Sequence, residues 1–500
     1  MDKGKVIIIG SGLGGLSCGV ILAKNGYNVT VLEQGLCVGG CLQTFVRGGV
    51  KFETGMHFIG SAAPGQTMNR LMTYLEISDA VELSPLCSDG YDVVSIDGER
   101  FRFALGRRAM IDQLSCRFPD QRENLERYYD TVERIANASS LHSLRYAESD
   151  DMLVAEYQLR SINDVIDEII TDPLLARVLV GNLPLYAAER GKTPFSVHAF
   201  IMDFYNQSAY RVVGGSDIVA GALTATIGRH GGSVETRSKV TRIVCDDTHA
   251  IGVEVNGSKF IPCDYVISDA HPIRTLELLD TKLIRPAFRA RVNSIPQTVG
   301  CFSLYLKFKP GSVPYLNYNY YGYNHPDAPW ECEKYTEIDW PRGFLYMHMC
   351  HQRNPRFAQS GEVLSYMRMS DVERWQGTRV GRRGSDYEEF KRNKAERLLA
   401  SLEIHFPELR GNIESYYTST PLTYLDYTGT ADGSMYGNAK DISLGVACRV
   451  SHRTRVPNVL QTGQNINSHG MLGVMVGTIV TCSEFLGAKT IYNQIIESCK

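Results

Sequence analysis

The stretch Val6-Ile7-Ile8-Ile9-Gly10-Ser11-Gly12-Leu13-Gly14-Gly15 decides the fold. Its first four residues form a continuous apolar run, which is typical of a parallel strand buried on both faces. The glycines then follow the G-x-G-x-x-G spacing, and apolar residues continue at helical spacing from Leu13 to Ala23. Residues 28–32 predict a second strand, with Glu33 at its end. This βαβ context predicts a dinucleotide-binding fold, which the glycine motif alone would indicate only weakly.

The spacing assigns a task to each residue of this fingerprint. Gly10 permits the tight turn, Gly12 lets the backbone approach a pyrophosphate, and Gly15 lets the helix pack close to the strand. The phosphates would then lie on unpaired N–H groups at the positive end of the helix. Glu33 can accept hydrogen bonds from both ribose hydroxyls, and its charge disfavours a 2'-phosphate.

A second glycine pair, Gly39-Gly40, follows soon after Glu33. Here the chain resembles the FAD-binding flavoprotein superfamily of amine oxidases and carotenoid desaturases, whose signature adds such a pair after the ribose-binding acid. The stretch from Phe52 to His57 is similar to the phytoene desaturase and retinol saturase branch. The resemblance implies that FAD is bound by Gly10, Ser11, Gly12, Gly14, Gly15, Glu33, Gln34, Gly39 and Gly40.

A second glycine-rich motif lies near the C-terminus. Residues 459–473 predict a strand, a glycine turn and a glycine-spaced helix, whose positive end would face the same cofactor. The motif is similar to that of retinol saturases and their bacterial relatives, which more often have aspartate in place of Asn465. An amide can still donate to and accept from the ribityl chain. The resemblance therefore adds further FAD contacts, namely Gly463, Asn465, Met471, Leu472 and Gly473. In the strand predicted after Gly231-Gly232, Val240 resembles the residue whose backbone meets the adenine, and an ordinary strand valine is the alternative.

The remaining segments predict two interleaved domains of the α/β class. The first is a Rossmann-like FAD-binding domain with a doubly wound sheet, and the second is an α+β substrate domain built on a mixed or antiparallel sheet. We expect the FAD-binding domain at residues 1–75, 205–285 and 425–500, and the substrate domain at residues 76–204 and 286–424.

Three patterns predict elements of the substrate domain. Apolar and polar residues alternate from Gly300 to Lys309, which predicts a strand with one buried face. Ser385 and Glu388 predict a capping box for a helix that ends near Pro407. Residues 151–185 predict helices that either flank a substrate tunnel, as in the family, or only pack the core. The tyrosines of residues 315–323 could line an apolar cavity, or form a hairpin without a function.

Composition excludes several classes of function. The 52 basic and 55 acidic residues give a formal net charge of −3 without a long block of like charge, so we expect no nucleic-acid partner. The 13 cysteines lack the paired spacing of zinc sites, and we expect no metal. Neither a signal-peptide core nor a membrane-spanning run is present, which predicts a cytoplasmic protein. The oligomeric state stays open.

The resemblance implies chemistry on carbon–carbon bonds of a long apolar substrate, such as an isoprenoid, retinoid or carotenoid. Flavin carries hydride or single electrons at N5, so the protein must bind it, orient the substrate and exclude water. Saturation and desaturation both stay open, with the C-terminal motif favouring reduction. Two alternatives are a flavin amine oxidase and a non-catalytic isoprenoid-binding escort protein of the same fold. The intact glycine fingerprint disfavours the escort protein.

The ionisable residues nearest the expected flavin are His57 and His469, with His271 as a weaker third candidate. A histidine could move the proton that accompanies hydride transfer, because its ordinary pKa is about 6.5. The alternative is that these histidines are hydrogen-bonded wall residues. The chain has no second dinucleotide fingerprint, so NAD(P)H is expected only as a transiently bound electron donor. A carrier protein, a quinone or oxygen are the alternatives. A bilayer-soluble substrate also suggests peripheral membrane contact.

Overall fold

The structure is a computed structural model that describes residues 3–146 and 149–500. The predicted domain segments 1–75 and 76–204 also include residues 1–2 and 147–148, which lie outside the described residues. Within the described residues the chain forms 20 β-strands and 17 α-helices. The strands are β1 (Lys5–Ile9), β2 (Asn28–Leu32), β3 (Thr44–Arg47), β4 (Val50–Glu53), β5 (Ile59–Gly60), β6 (Leu83–Pro85), β7 (Asp92–Ile96), β8 (Glu99–Phe103), β9 (Ala209–Val212), β10 (Ser233–Glu235), β11 (Val240–Cys245), β12 (Ala250–Val255), β13 (Lys259–Pro262), β14 (Tyr265–Ser268), β15 (Gly300–Phe308), β16 (Asn319–Tyr323), β17 (Gly343–His348), β18 (Ser360–Met367), β19 (Ile413–Ser419) and β20 (Val459–Gln461). The helices are α1 (Leu13–Lys24), α2 (Thr67–Tyr74), α3 (Arg107–Arg117), α4 (Arg122–Ala138), α5 (Ser140–Ser143), α6 (Asp151–Tyr157), α7 (Ile162–Ile169), α8 (Pro173–Leu179), α9 (Phe195–Gln207), α10 (Asp217–Arg229), α11 (Pro272–Leu278), α12 (Pro286–Asn293), α13 (Ala328–Glu331), α14 (Ser385–His405), α15 (Pro421–Thr428), α16 (Gly470–Leu486) and α17 (Ala488–Ser498).

A five-stranded parallel sheet forms the centre of the first layer. Its strand order is β10-β2-β1-β14-β20, with β1 in the middle as the buried apolar run predicts. Ile9 is in register with Leu32 on one side and with Ser268 on the other. Because all five strands point the same way, the loops that follow β1, β2, β14 and β20 meet at one edge of the sheet.

The two faces of this sheet are covered differently. Residues of α1, α10 and α16 form one apolar core with the alternate side chains Val6 and Ile8 of β1. The opposite side chains, Ile7 and Ile9, pack against the three-stranded antiparallel sheet β11-β12-β13 and against α11. The predicted Rossmann-like fold is therefore confirmed, with a small second sheet on one face that the sequence patterns did not predict.

A seven-stranded sheet forms the second large layer. Its order is β19-β15-β18-β17-β16-β7-β8, and all its pairs are antiparallel except β16 with β7. This confirms the predicted mixed sheet. The prediction of one buried face for β15 was wrong, because Ser303 and Tyr305 are buried as well. Phe45 and Phe52 of the β3–β4 hairpin pack on Tyr305 and cover that face.

The helices follow the predicted pattern in outline. Helix α14 ends at His405, before Pro407, as predicted, but its N-cap is Gly384 and no side chain caps it. The predicted capping box is therefore wrong, since Ser385 already lies inside the helix. Helices α6, α7 and α8 occupy the predicted helical region of residues 151–185. None of the helices in the described part of the chain has both the length and the hydropathy needed to cross a membrane.

Candidate functional site

A cavity of about 710 Å³ runs from the loop edge of the parallel sheet to the face of the seven-stranded sheet. At the sheet edge it is lined by the glycine turn after β1, by Glu33 and by the turn after β20. At the other end its wall is mainly apolar and comes from several elements; its members include Pro184, Leu185, Phe344, Leu345, Leu364 and Met435. One cavity thus joins a polar, glycine-lined end to an apolar end, which suits a dinucleotide beside an apolar substrate.

Most of the predicted site residues line this cavity. They are Gly10, Ser11, Gly12, Gly14, Glu33, Gln34, Gly39, Gly40, His57, Val240, Gly463, Asn465 and Met471. Four predicted residues, Gly15, Leu472, Gly473 and His469, are not part of the lining. The fingerprint and the C-terminal motif therefore converge on one cavity, although they lie at opposite ends of the chain.

The glycine turn after β1 is built as its spacing predicts. Gly10 has φ = +94°, in the left-handed region that favours glycine. A Cβ on Gly15 would overlap the carbonyl oxygen of Gly10. Gly15 is therefore needed for the close packing of helix α1 against this turn. Gly39 donates its backbone N–H to the carbonyl of Ser11 at 2.9 Å, and Gly40 lies directly above Gly12. The second glycine pair is thus docked on the first loop.

Glu33 is held in place at the end of β2. Its Oε2 accepts hydrogen bonds from the backbone N–H and the hydroxyl of Ser11, at 3.0 and 2.6 Å. Its Oε1 accepts from the backbone N–H of Gly35 at 2.7 Å. A carboxylate has about four acceptor positions, so acceptor capacity is left for groups that enter the cavity. This arrangement fits the ribose-binding role predicted for Glu33.

Asp269 lies beneath the glycine turn and was not predicted as a site residue. It follows β14, lines the cavity, and is held by a 2.8 Å hydrogen bond from its N–H to the carbonyl of Ile9. A Cβ on Gly12 would overlap its Oδ2, and a Cβ on Gly14 or on Gly463 would lie 2.5 Å from its Oδ1. The absence of side chains at these glycines therefore makes room for a carboxyl of the chain itself.

The environment of Asp269 favours its neutral form. Burial raises the pKa of its carboxyl to about 7, against the opposing effect of the N–H groups of Gly15 and Gly12, and the charge of Glu33 raises it further. One signal in the sequence could have identified it: a polar residue directly after a buried parallel strand lies at the edge where ligands bind.

His57 stands on the cavity wall between two buried carboxyl groups. Its Nδ1 lies 2.9 Å from Oε2 of Glu362 and 3.7 Å from Oε2 of Glu53. The backbone N–H of Glu53 donates to Oε1 of Glu362 at 2.7 Å, and that of Ser216 donates to Oε1 of Glu53 at 3.1 Å. Arg211 donates to the carbonyl oxygen of His57 at 3.1 Å. The imidazole ring is therefore held between the carboxyl groups of β4 and β18, and Arg211 of β9 fixes the backbone of the same residue.

The two neighbouring carboxyl groups keep the imidazole ring of His57 protonated at neutral pH. Burial disfavours the charged ring, but the carboxylates of Glu362 and Glu53 outweigh it and raise the pKa of His57 to about 9. Burial raises the pKa of Glu53 as well. Glu53 belongs to the motif quoted above, whereas nothing in the sequence around Glu362 indicated a role.

The other two candidate histidines differ from His57. His469 is the N-cap residue of α16, and burial lowers its pKa to about 3. His271 lines the cavity, where burial lowers its pKa to about 4 and its Nε2 lies 3.1 Å from Oε1 of Gln297. Both rings are neutral near pH 7, so neither holds a proton that is ready for donation.

The apolar end of the cavity was predicted less well. None of the tyrosines at 315–323 lines it, and Tyr320 and Tyr321 are fully buried in the core around the seven-stranded sheet. Residues 151–185 contribute only Pro184 and Leu185, so their helices mainly pack the core. The apolar wall comes instead from β17, β18 and the segment that follows β19.

Comparisons with known proteins agree with this geometry. The model of the family "Flavin containing amine oxidoreductase" matches residues 13–338. The chain is 28% identical to the all-trans-retinol 13,14-reductase of Rattus norvegicus, over 99% of this chain and 87% of that protein. It is 24% identical to prolycopene isomerase 1, chloroplastic, of an Oncidium hybrid cultivar, over 86% and 74% of the two chains. The fold is similar to that of an oxidoreductase from Methanosarcina mazei, with a TM-score of 0.64, 15% identity, and coverage of 96% and 100%.

Proposed function

The chain belongs to the flavin containing amine oxidoreductase family, and on that basis we propose that it uses FAD to act on carbon–carbon bonds of a long apolar isoprenoid. One observation carries the proposal: the glycine-lined end of the cavity continues into an apolar wall, and the His57 imidazolium lines the same cavity. The likeness to a retinol 13,14-reductase and to a prolycopene isomerase supports an isoprenoid substrate. The likeness to the reductase also favours reduction as the direction.

The residues of the polar end fit FAD. The glycine turn presents a side-chain-free surface, Glu33 keeps free acceptor positions, and Asn465 lines the cavity where a ribityl chain could be bound. Oδ1 of Asn465 accepts the backbone N–H of Asn438 at 2.8 Å, which leaves its amide N–H groups as donors toward the cavity. FAD supplies hydride or single-electron transfer at N5 of its ring system.

The residues of the chain supply what the flavin does not. Glu362 engages Nδ1 of His57, so the Nε2–H is the proton that is left for a substrate in the cavity. We assign His57 the donation of this proton to one carbon of the reduced double bond, after which the neutral ring stays beside Glu362. The leucine and phenylalanine side chains of the apolar end exclude water from the reacting bond.

Two further parts of the proposal concern partners. We propose NAD(P)H as the electron donor, bound only transiently because the sequence carries no second glycine fingerprint for a resident one. A peripheral contact with membranes would bring a bilayer-soluble substrate to the cavity. Stopped-flow reduction of the flavin by NADPH tests the first part, and flotation with phosphatidylcholine liposomes tests the second.

The main experiment measures transfer from the reduced flavin. The purified protein should show the visible absorbance of oxidised flavin. After anaerobic photoreduction it is mixed with all-trans-retinol, β-carotene or an amine such as putrescine. We expect reoxidation with an isoprenoid and a product two hydrogens heavier. Reoxidation by none of the isoprenoids, together with reduction of the oxidised protein by an amine and release of hydrogen peroxide, would overturn the proposal in favour of amine oxidation.

A further inference from the structure

We propose that Asp269 binds FAD in its protonated form, so that the chain takes up one proton when it takes up the cofactor. The inference rests on the proposed function only in requiring that FAD occupies the glycine-lined end of the cavity. It adds a cofactor-binding residue that neither the fingerprint nor the C-terminal motif contains.

The position of Asp269 is the first support. Its carboxyl fills the space that three glycines, Gly12, Gly14 and Gly463, leave free, and these glycines come from the two loops that line the polar end. The space that a fingerprint normally leaves for a pyrophosphate is therefore bordered by a carboxyl of the chain. A pyrophosphate carries two negative charges, and it would share the backbone N–H groups at the start of α1 with the carboxyl of Asp269.

The charges around Asp269 are the second support. Glu33 faces it from the end of β2, the Cys41 thiol from the second glycine loop, and His271, Arg274 and Glu277 line the same cavity from the segment after β14. Lys239 lines the cavity ahead of β11.

Two of these neighbours are uncharged near pH 7, and a third is an acid. Burial keeps the Cys41 thiol protonated by raising its pKa to about 11, and His271 is neutral. The charge of Glu33 raises the pKa of Asp269. An ionised Asp269 therefore has the carboxylate of Glu33 beside it.

The sign of the pH dependence follows from linkage. In the free protein the pKa of Asp269 is about 7, since burial raises it. The negative charge of a bound pyrophosphate disfavours the carboxylate further, so the pKa of Asp269 in the complex must lie above that of the free protein. FAD affinity is then constant below about pH 6 and falls by up to tenfold per pH unit above the pKa of the free protein. A protonated carboxyl can also donate its O–H to a phosphate oxygen.

The test compares FAD binding to the apoprotein at pH 6, 7, 8 and 9. Flavin fluorescence gives the Kd, and calorimetry in two buffers of different ionisation enthalpy counts the protons taken up. We expect close to one proton at pH 8 and a tenfold or greater loss of affinity from pH 7 to pH 9. Asp269→Asn keeps the size of the side chain and should remove both effects. Glu33→Gln is the matched control: it should weaken binding at every pH but keep the slope.

The outcomes separate the two proposals. FAD binding without proton uptake, or an unchanged pH slope in Asp269→Asn, overturns the role of Asp269 and leaves the flavoenzyme intact. No FAD binding at any pH overturns both. The proton count is made on the unaltered chain, so it decides the matter even where a variant fails to fold.

Discussion

The replacement Glu362→Gln tests the proposed role of His57 most directly. The pKa of His57 is about 9, and its difference from the ordinary value of about 6.5 corresponds to about 3 kcal/mol in favour of the protonated ring, at about 1.4 kcal/mol per pH unit. Glu362 supplies the largest favourable contribution, from a distance of 2.9 Å. Without its charge, only Glu53 at 3.7 Å opposes the cost of burial. We therefore expect the pKa of His57 in the variant to fall to about 6.5 or below.

The consequence for activity can be worked out at pH 8. A group with a pKa of about 9 is about nine-tenths protonated there, whereas one with a pKa of about 6.5 is about 3% protonated, so proton donation should slow by about thirtyfold. In the unaltered protein the rate of flavin reoxidation by all-trans-retinol should stay constant up to about pH 8 and fall above about pH 9. In the variant the fall should already begin between about pH 6 and 7.

Two measurements check this reasoning. NMR titration of protein labelled with 15N-histidine gives the pKa of His57 without substrate, with His57→Asn used for assignment. The pH profile of the reoxidation rate then shows whether the same group governs the chemistry. Glu53→Gln is the matched control, because its carboxylate is farther from Nδ1, and it should lower the pKa less. An unchanged His57 titration in Glu362→Gln would refute the electrostatic argument, and a shifted titration with an unchanged rate profile would refute the role of His57 as proton donor.

Three other predictions follow from the same contacts. Asp269→Asn should raise the free energy of unfolding of the apoprotein at pH 8 by up to about 4 kcal/mol and change it little at pH 4. The reason is that the pKa of Asp269 is raised in the folded state, so the unaltered protein loses stability as the pH rises from about 4 to 7. Urea unfolding at both pH values measures this, and equal gains at both would contradict it. Gly12→Ala should abolish flavin retention, since its Cβ would overlap the Asp269 carboxyl, whereas Gly221→Ala, which meets no atom within 4 Å, should keep the normal ratio of flavin to protein absorbance. His469→Gln should leave the pH profile of reoxidation unchanged, because burial already keeps this ring neutral; a lost alkaline limb would show that the wrong histidine has been chosen.

The polar half of the site was predictable from the sequence because its parts are local. The strand of Val6 to Ile9, the turn at Gly10 and the helix from Leu13 follow one another directly, so spacing alone determines which backbone groups face a ligand. Glu33 ends the adjacent strand, and the parallel direction of the two strands brings it to the same edge. The C-terminal motif is equally compact, which is why Gly463, Asn465 and Met471 could be assigned to the cavity in advance.

The tertiary structure alone decided how the site is charged. Glu53 lies four residues before His57. Glu362 is 309 positions away from Glu53, and it reaches His57 only because β4 and β18 pack together. Asp269 reaches the glycine turn only because β14 pairs with β1. Periodicity within a strand or helix shows which face is buried, but it carries no information about which other element covers that face. Since burial and neighbouring charges set a pKa, the protonation states of His57 and Asp269 could come only from the packed fold.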